Sequence, residues 1–285
     1  MHNINYQYFD TPSFRLHQFN GYIEQVFLAE YPDKILLLDG CCKSDVPIIE
    51  RVVHEKLKRE MSDIRLSVVT HPHPDHAGGA PVLRKKYHIP IVSYYLNDCW
   101  YVGFKGSLQH AFDIYMGWYV VIKTSLHYKS MWHKKLIHAD FLLDDGEFLP
   151  GFEDWQLIHT PGHTNVDCLL YNSREKMLYV VDMLIKLNRG FVLPFPITRP
   201  ELMEKSLAKV AKLEVTSILM AHGGYYNKNV SPELFTSMIP HVDPKLTVLL
   251  KIFKWFTMFS PMLKNKGKKF AECRGNMERS MKSSH

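Results

Sequence analysis

The run Thr70-His71-Pro72-His73-Pro74-Asp75-His76-Ala77-Gly78-Gly79-Ala80 puts three imidazoles and one carboxylate within six positions. Neutral imidazole and carboxylate are the side chains that hold Zn²⁺ and similar divalent ions. Pro72 and Pro74 bar a helix through His71 and His73 and keep that stretch extended, so the two rings, two residues apart, point the same way. Asp75 and His76 fall where the chain can turn into a helix, and Gly78 and Gly79 let backbone pack close behind the donors. A histidine-rich surface loop is the competing reading, and so dense a spacing argues against it. Three more candidates stand alone in the chain: His163 in Thr160-Pro161-Gly162-His163-Thr164, Asp182 after an apolar run, and His222 in Ala221-His222-Gly223-Gly224.

What must position these residues is a set of strands that stop where the donors begin. Apolar runs at 21–31 and 34–39, split by Pro32-Asp33, predict a β-hairpin ending at Leu38-Asp39-Gly40. Asp39 either closes a turn beside the cluster or is an ordinary turn aspartate. Ile48, Ile49, Val52, Val53 and Leu57 recur at helical spacing within 46–60, and a buried strand over 65–69 then delivers the histidine cluster. A helix over 80–87 and a strand over 89–94 continue an α/β alternation. Phe141–Leu143 and Glu147–Leu149 flank Asp144-Asp145-Gly146 as a hairpin signal. Strands are expected over 155–159, 168–171, 177–181 and 218–220, with a helix over 199–213. Four segments therefore place donors at strand ends: His71/His73/Asp75/His76, His163, Asp182 and His222. Strand ends on one edge of a sandwich converge in space, and seven donors exceed one tetrahedral zinc and suit two metals bridged by a carboxylate.

The pattern His-x-His-x-Asp-His, then Thr-Pro-Gly-His-Thr, then Asp after a strand, then His-Gly resembles the metallo-β-lactamase superfamily over about residues 20–225. The resemblance implies an α/β protein with a four-layer αββα sandwich and the site at one edge. It implies a first metal on His71, His73 and His163, a second on Asp75, His76 and His222, and Asp182 bridging both. The bridging Asp is closer to the glyoxalase II, lactonase and phosphodiesterase branches than to many true β-lactamases. One departure is Val181-Asp182, where relatives often read Gly-Asp. Two divalent ions, Zn²⁺ first and Fe or Mn as alternatives, would sit about 3.5–4 Å apart and bring a shared water towards a pKa of about 7. Asp75 is the catalytic candidate, orienting that water and passing its proton to the leaving group.

Composition bounds the rest. The 285 residues are 46% hydrophobic and 22% charged, which excludes disordered and collagen-like classes. Met1 to Tyr8 is polar and aromatic, unlike a secretory signal, and five cysteines without C-x-x-C spacing suggest free thiols in a reducing, cytoplasmic setting. Residues 245–285 hold ten Lys or Arg against two Glu, net +8, so the rest of the formal +6 chain carries −2. The basic balance describes a tail, and no specific nucleic-acid partner is expected of the body. The division expected is a catalytic domain over 1–244 and a basic, amphipathic appendage over 245–285. Within the domain, the aromatic-rich insertion at about 94–139 reads either as a largely helical lid or as extra core or a homodimer contact.

The lid reading favours a small-molecule ester, thioester or lactone with an apolar portion. The alternatives are a phosphodiesterase acting on nucleic acid or lipid, with Lys123, Lys129, Lys134 and Lys135 as mouth cations, and an iron oxidoreductase similar to persulfide dioxygenases. Tyr225 or Tyr226 could supply a cleft tyrosine. In 246–259, Leu246, Leu249, Leu250, Phe253 and Phe256 share a helical face opposite Lys251 and Lys254. That helix either docks on the body or, with Lys264, Lys266, Lys268 and Lys269, lies on an anionic membrane as a peripheral contact over 246–269. From Asn265 onward the polar, basic sequence is expected to be disordered.

Overall fold

The computed structural model describes residues 4–124, 126–264 and 268–284; the side chains of Leu249, Lys264, Lys268, Lys269 and residues 282–284 are not among those described. The expectations for Asn265 and Lys266, and for the contacts of Lys264, Lys268 and Lys269, lie outside the described residues.

Two mixed sheets form the centre. The first runs β1 (Tyr6–Asp10), β2 (Arg15–Asn20), β3 (Gln25–Glu30), β4 (Ile35–Leu37), β5 (Ile64–Val69), β6 (Ile91–Tyr94) and β7 (Phe141–Leu143) in that order. The second contains β8 (Phe148–Leu149), β9 (Phe152–His159), β10 (Cys168–Asn172), β11 (Met177–Val181), β14 (Ser217–Met220) and β15 (Gly224–Tyr226), in the order β15-β14-β11-β10-β9-β8. A separate ribbon pairs β12 (Ile185–Leu187) with β13 (Gly190–Val192).

Alternation along the strands explains why both faces of the first sheet are covered. Phe27, Ala29 and Leu36 point into the core shared with Leu157, Tyr179 and Leu219 of the second sheet. Their neighbours Val26, Leu28, Ile35 and Leu37 point the other way, into a core with Ile49, Val52 and Leu83 from α1 (Val46–Val52) and α3 (Ala80–Tyr87). Met203, Leu207 and Val210 of α5 (Pro200–Val210) join the core of the second sheet. The result is the αββα sandwich.

The hairpin of β3 and β4 is antiparallel, while β5 and β6 pair in parallel, as α/β crossovers require. The expected hairpin across Asp144-Asp145-Gly146 is not formed. β7 pairs with β6 in the first sheet and β8 with β9 in the second, so the turn carries the chain from one sheet to the other. Turn chemistry specifies a reversal but not whether the flanking strands pair with each other.

The insertion is half helix. α4 (Gly103–Lys123) is followed by a stretch to residue 139 without regular structure among the described residues. Its aromatics divide: Trp100 and Tyr101 are core residues, whereas Phe104, Tyr115 and Trp132 are exposed.

The C-terminal region also differs from expectation. α7 (Val248–Phe256) packs Phe256 against Phe112 and Phe253 against Tyr119 of α4, the rings tilted to one another. A second helix, α8 (Lys268–Ser284), replaces the expected disorder and buries Phe270 and Cys273 in the main core. Cys273 is disulfide-bonded to Cys99 with a Cα separation of 5.8 Å, while Cys41, Cys42 and Cys168 are free and buried. The fold therefore holds one disulfide and three free thiols in place of the five free thiols expected, and the cysteines do not point to a reducing compartment. Residues 174 apart cannot be matched from spacing alone.

Candidate active site

β5 ends at Val69, and the chain then bends through residues 71–73 to His73, itself extended and the N-cap of the short α2 (Pro74–Ala77), with Pro74 at its first position. The turn after β4 packs directly beneath. The Gly79 N–H donates to the Cys41 carbonyl at 2.8 Å, and a Cβ on Gly40 would lie 2.5 Å from the His76 carbonyl oxygen. Glycine at both positions lets these two loops touch. His163 follows β9, Asp182 follows β11, and His222 lies between β14 and β15.

All seven expected donors converge. His71 Nε2 and His163 Nε2 each lie 3.1 Å from His73 Nδ1, and they stand 3.7 and 3.6 Å from Asp182 Oδ2. On the other side, His76 Nε2 and His222 Nε2 are both 3.5 Å from Asp75 Oδ2, and 3.4 and 3.3 Å from Asp182 Oδ1. Asp182 thus turns one oxygen to each set. Donor separations of about 3.4 Å are the edges of a tetrahedron whose bonds are about 2.0–2.1 Å, the range for zinc with imidazole and carboxylate. Two inward atoms, His76 Nε2 and Asp182 Oδ1, are buried without a hydrogen-bond partner, a costly arrangement unless a cation lies between the donors. The residues fit a pair of metal ions.

The outward ring nitrogens are also held, which aims the inward ones. His76 Nδ1 donates to Asp39 Oδ2 at 2.7 Å, His163 Nδ1 to the Pro196 carbonyl at 2.6 Å, and His222 Nδ1 to the Ile23 carbonyl at 3.0 Å. His71 Nδ1 faces the Thr70 hydroxyl at 3.3 Å, and that hydroxyl donates to Asp39. His73 Nε2 faces Asp113 at 3.5 Å. Each ring that donates outward keeps its other lone pair free for a metal.

Asp39 is therefore more than a turn residue. It accepts from His76, from the Thr70 hydroxyl and N–H, from the Gly40 N–H and from the buried Tyr179 hydroxyl. Sequence reasoning does not single out Asp113, Glu24 or Tyr179. Asp113 also accepts from Tyr101 and Gln109, so α4 both covers the site and braces it. A signal for it exists in the chain, since it is the only acidic residue of a helix rich in aromatic and aliphatic side chains. Glu24 is buried 3.6 Å from His76 Nδ1 with neither oxygen hydrogen-bonded, and burial pushes its carboxyl well up.

The charges show what metal-free protein does with this geometry. Burial alone would lower His222, but the Asp182 and Asp75 carboxylates overcome it and lift the ring to about 10. His76 is raised by the same two carboxylates and Asp39 against the same burial. Conversely, burial and the neighbouring His73 hold His163 near 4, and His71 is lowered likewise. The carboxylates thus pull His76 and His222 up, while burial and neighbouring imidazoles push His71 and His163 down.

A cavity of about 350 Å³ opens onto Asp75, Asp182 and His222. Its walls include Met116 and Val120 of α4, Ile185 and Leu187 of β12, and the Pro194–Phe195 turn. Among the described residues no Lys or Arg lines it, and Lys123, Lys129, Lys134 and Lys135 are all elsewhere. Tyr225 packs on Phe9 and Tyr226 on Phe191, so neither lines the cavity.

An αββα sandwich with paired His/Asp donor sets at its open edge defines the class: a metal-dependent hydrolase. The chain belongs to the metallo-beta-lactamase superfamily, whose family model matches residues 20–222. Among curated proteins it is 23% identical to the probable metallo-hydrolase YflN of Bacillus subtilis, over 69% of this chain and 78% of that one. Among solved structures, the mono-zinc form of the metallo-beta-lactamase FIM-1 from Pseudomonas aeruginosa superposes with a TM-score of 0.59 at 15% identity, covering 85% of this chain and 97% of that one. An archaeal superfamily protein from Sulfolobus tokodaii gives 0.55 at 16% identity, over 86% and 94%. At these identities the structural likenesses establish the fold alone.

Proposed function

We propose that the chain hydrolyses an ester, thioester or lactone whose acyl part is apolar, using two zinc ions. The observation that carries this reading is the cavity wall. Aliphatic side chains from α4 and β12 lead directly to the donor sets, with no Lys or Arg among the lining residues to receive an anionic substrate group. A phosphodiesterase would want such cations, and the lysines that are candidates for that role lie off the cavity. The nitrogen and oxygen donors suit zinc and also accept iron or manganese.

His71, His73 and His163 would hold one ion and Asp75, His76 and His222 the other, with Asp182 shared. When bound, the pair supplies hydroxide at neutral pH and polarises the acyl oxygen. The protein's own residues do the rest. Met116, Val120 and Leu187 hold the acyl chain and exclude water from the wall. Asp75 lines the cavity and reaches both His76 and His222. It is therefore placed to take the attacking water's proton and return it to the leaving oxygen or sulfur. Asp113 and Asp39 keep His73 and His76 in the required tautomers.

The test is metal content per chain together with turnover of a graded panel: short and long acyl esters, thioesters, lactones, a β-lactam and a phosphodiester. About two zinc ions, with kcat/KM rising with acyl length, is the expected result. Fastest turnover of the phosphodiester, or no dependence on acyl length, would overturn the substrate assignment.

A further inference from the structure

α7 is apolar on two sides. One side packs Phe253 and Phe256 on α4. The other presents Val248, Ile252 and Trp255 to solvent at 75%, 48% and 62% exposure, spaced four and three residues apart along one helical stripe. Beside it, α4 leaves Tyr115, Tyr119 and Ile122 exposed. A helix that has already docked and still shows such a stripe is unusual for a solvent-facing element.

The charges on this face are mostly of one sign. α7 carries Lys251 and Lys254 and no carboxylate, and the one acid of α4, Asp113, is buried. Lys123 lies over the Tyr119 ring, and Lys105 and Trp255 border the same hollow. One acid, Asp243, pairs with Lys254 at 3.8 Å. The face also adjoins the mouth of the catalytic cavity, whose walls include Val120, next to Tyr119, and Thr257, just past α7. No helix among the described residues is long and apolar enough to cross a membrane.

We propose that the α4–α7 face docks on an anionic lipid surface, with Val248, Ile252 and Trp255 entering the headgroup boundary and Lys105, Lys123 and Lys251 meeting acidic headgroups. An apolar stripe bearing Trp and flanked by Lys is the composition of helices that lie in that interface. A second copy of the chain is the poorer occupant, since two-fold pairing would set lysines against lysines. The proposal does not depend on which bond the site cleaves.

The experiment is flotation of the full-length, metal-loaded chain with phosphatidylcholine vesicles, with and without about one third phosphatidylserine. Ile252→Ser/Trp255→Ser and Lys251→Glu serve as comparisons, with melting temperature and bound metal checking their folding. Expected are binding to the anionic vesicles, weakening at high salt, and at least about a tenfold loss in either variant. Absence of vesicle binding, or binding undiminished in the folded double variant, overturns the proposal. So does a wild-type dimer that the double variant dissolves while neither protein floats.

Discussion

Asp39→Asn tests whether the carboxylate beneath the donor sets aims His76 or only shapes a turn. Oδ2 accepts from His76 Nδ1, the Thr70 hydroxyl and the Tyr179 hydroxyl at 2.7, 2.9 and 3.0 Å, and Oδ1 accepts from the Gly40 and Thr70 N–H groups at 2.9 and 3.3 Å. An amide of the same shape must turn its NH₂ to one of these groups of donors. Facing the backbone pair is the lesser loss, and it leaves two buried N–H groups against a donor while His76 keeps only a neutral acceptor. With hydrogen bonds to charged groups at about 1.5–3 kcal/mol each, and some relaxation, stability should fall by about 3 kcal/mol. Metal affinity should fall by about 10–100-fold, because His76 Nδ1 then donates to a neutral amide oxygen, which orients the ring more weakly and leaves its other nitrogen less basic than a carboxylate does.

Urea denaturation reads the first quantity, and competition with a chromophoric chelator reads the second. Tyr179→Phe removes a single donor to the carboxylate and should cost about 1.5 kcal/mol, leaving metal affinity nearly intact. If Asp39→Asn lost stability but bound metal as tightly as wild type, Asp39 would be a turn residue and the positioning argument would fail.

Asp113→Ala should weaken metal binding by about 10–100-fold, because it releases His73 Nε2, and should loosen α4, which loses its bonds to Tyr101 and Gln109; an unchanged chelator competition curve would refute this. Cys273→Ser should lower stability by about 2–4 kcal/mol in urea, matched by wild type under reductant. Equal midpoints with and without reductant would show that the bridge contributes nothing. In chelator-treated protein, His222 sits near 10 when folded against about 6.5 unfolded, so its stabilisation is complete below about pH 6.5 and is lost as pH rises towards 10. The metal-free urea midpoint should therefore fall from about pH 6.5 to about 10, whereas metal affinity should rise with pH as protons leave His76 and His222; a metal-free midpoint that climbs over this range would contradict the assignment.

The seven donors are legible because each lies at or just past the end of a strand: His71, His73, Asp75 and His76 in a run broken by Pro72 and Pro74, His163 and His222 beside glycine, and Asp182 after an unbroken apolar strand. Strand ends depend on local chemistry, and their convergence on the sandwich edge follows from the resemblance to a known superfamily. What the chain does not reveal is what comes from pairing at long range. The turn at 144–146 has the composition of a hairpin and joins two sheets, because its flanking strands find β6 and β9 instead of each other. Asp39 looks like any turn aspartate until β5, α2 and β11 bring Thr70, His76 and Tyr179 against it. Val181 is the instructive intermediate case. Its φ of +51° puts a buried β-branched residue in the left-handed region, beside an irregularity in the β11–β14 pairing. Glycine meets that need without steric cost, which gives a physical reason for the Gly-Asp of relatives. Here the chain must hold Asp182 against a penalty of about 1–2 kcal/mol, offset by the Val181 side chain packed in the core. The departure is visible in the sequence as a missing glycine, but only the backbone angle shows that the position is left-handed.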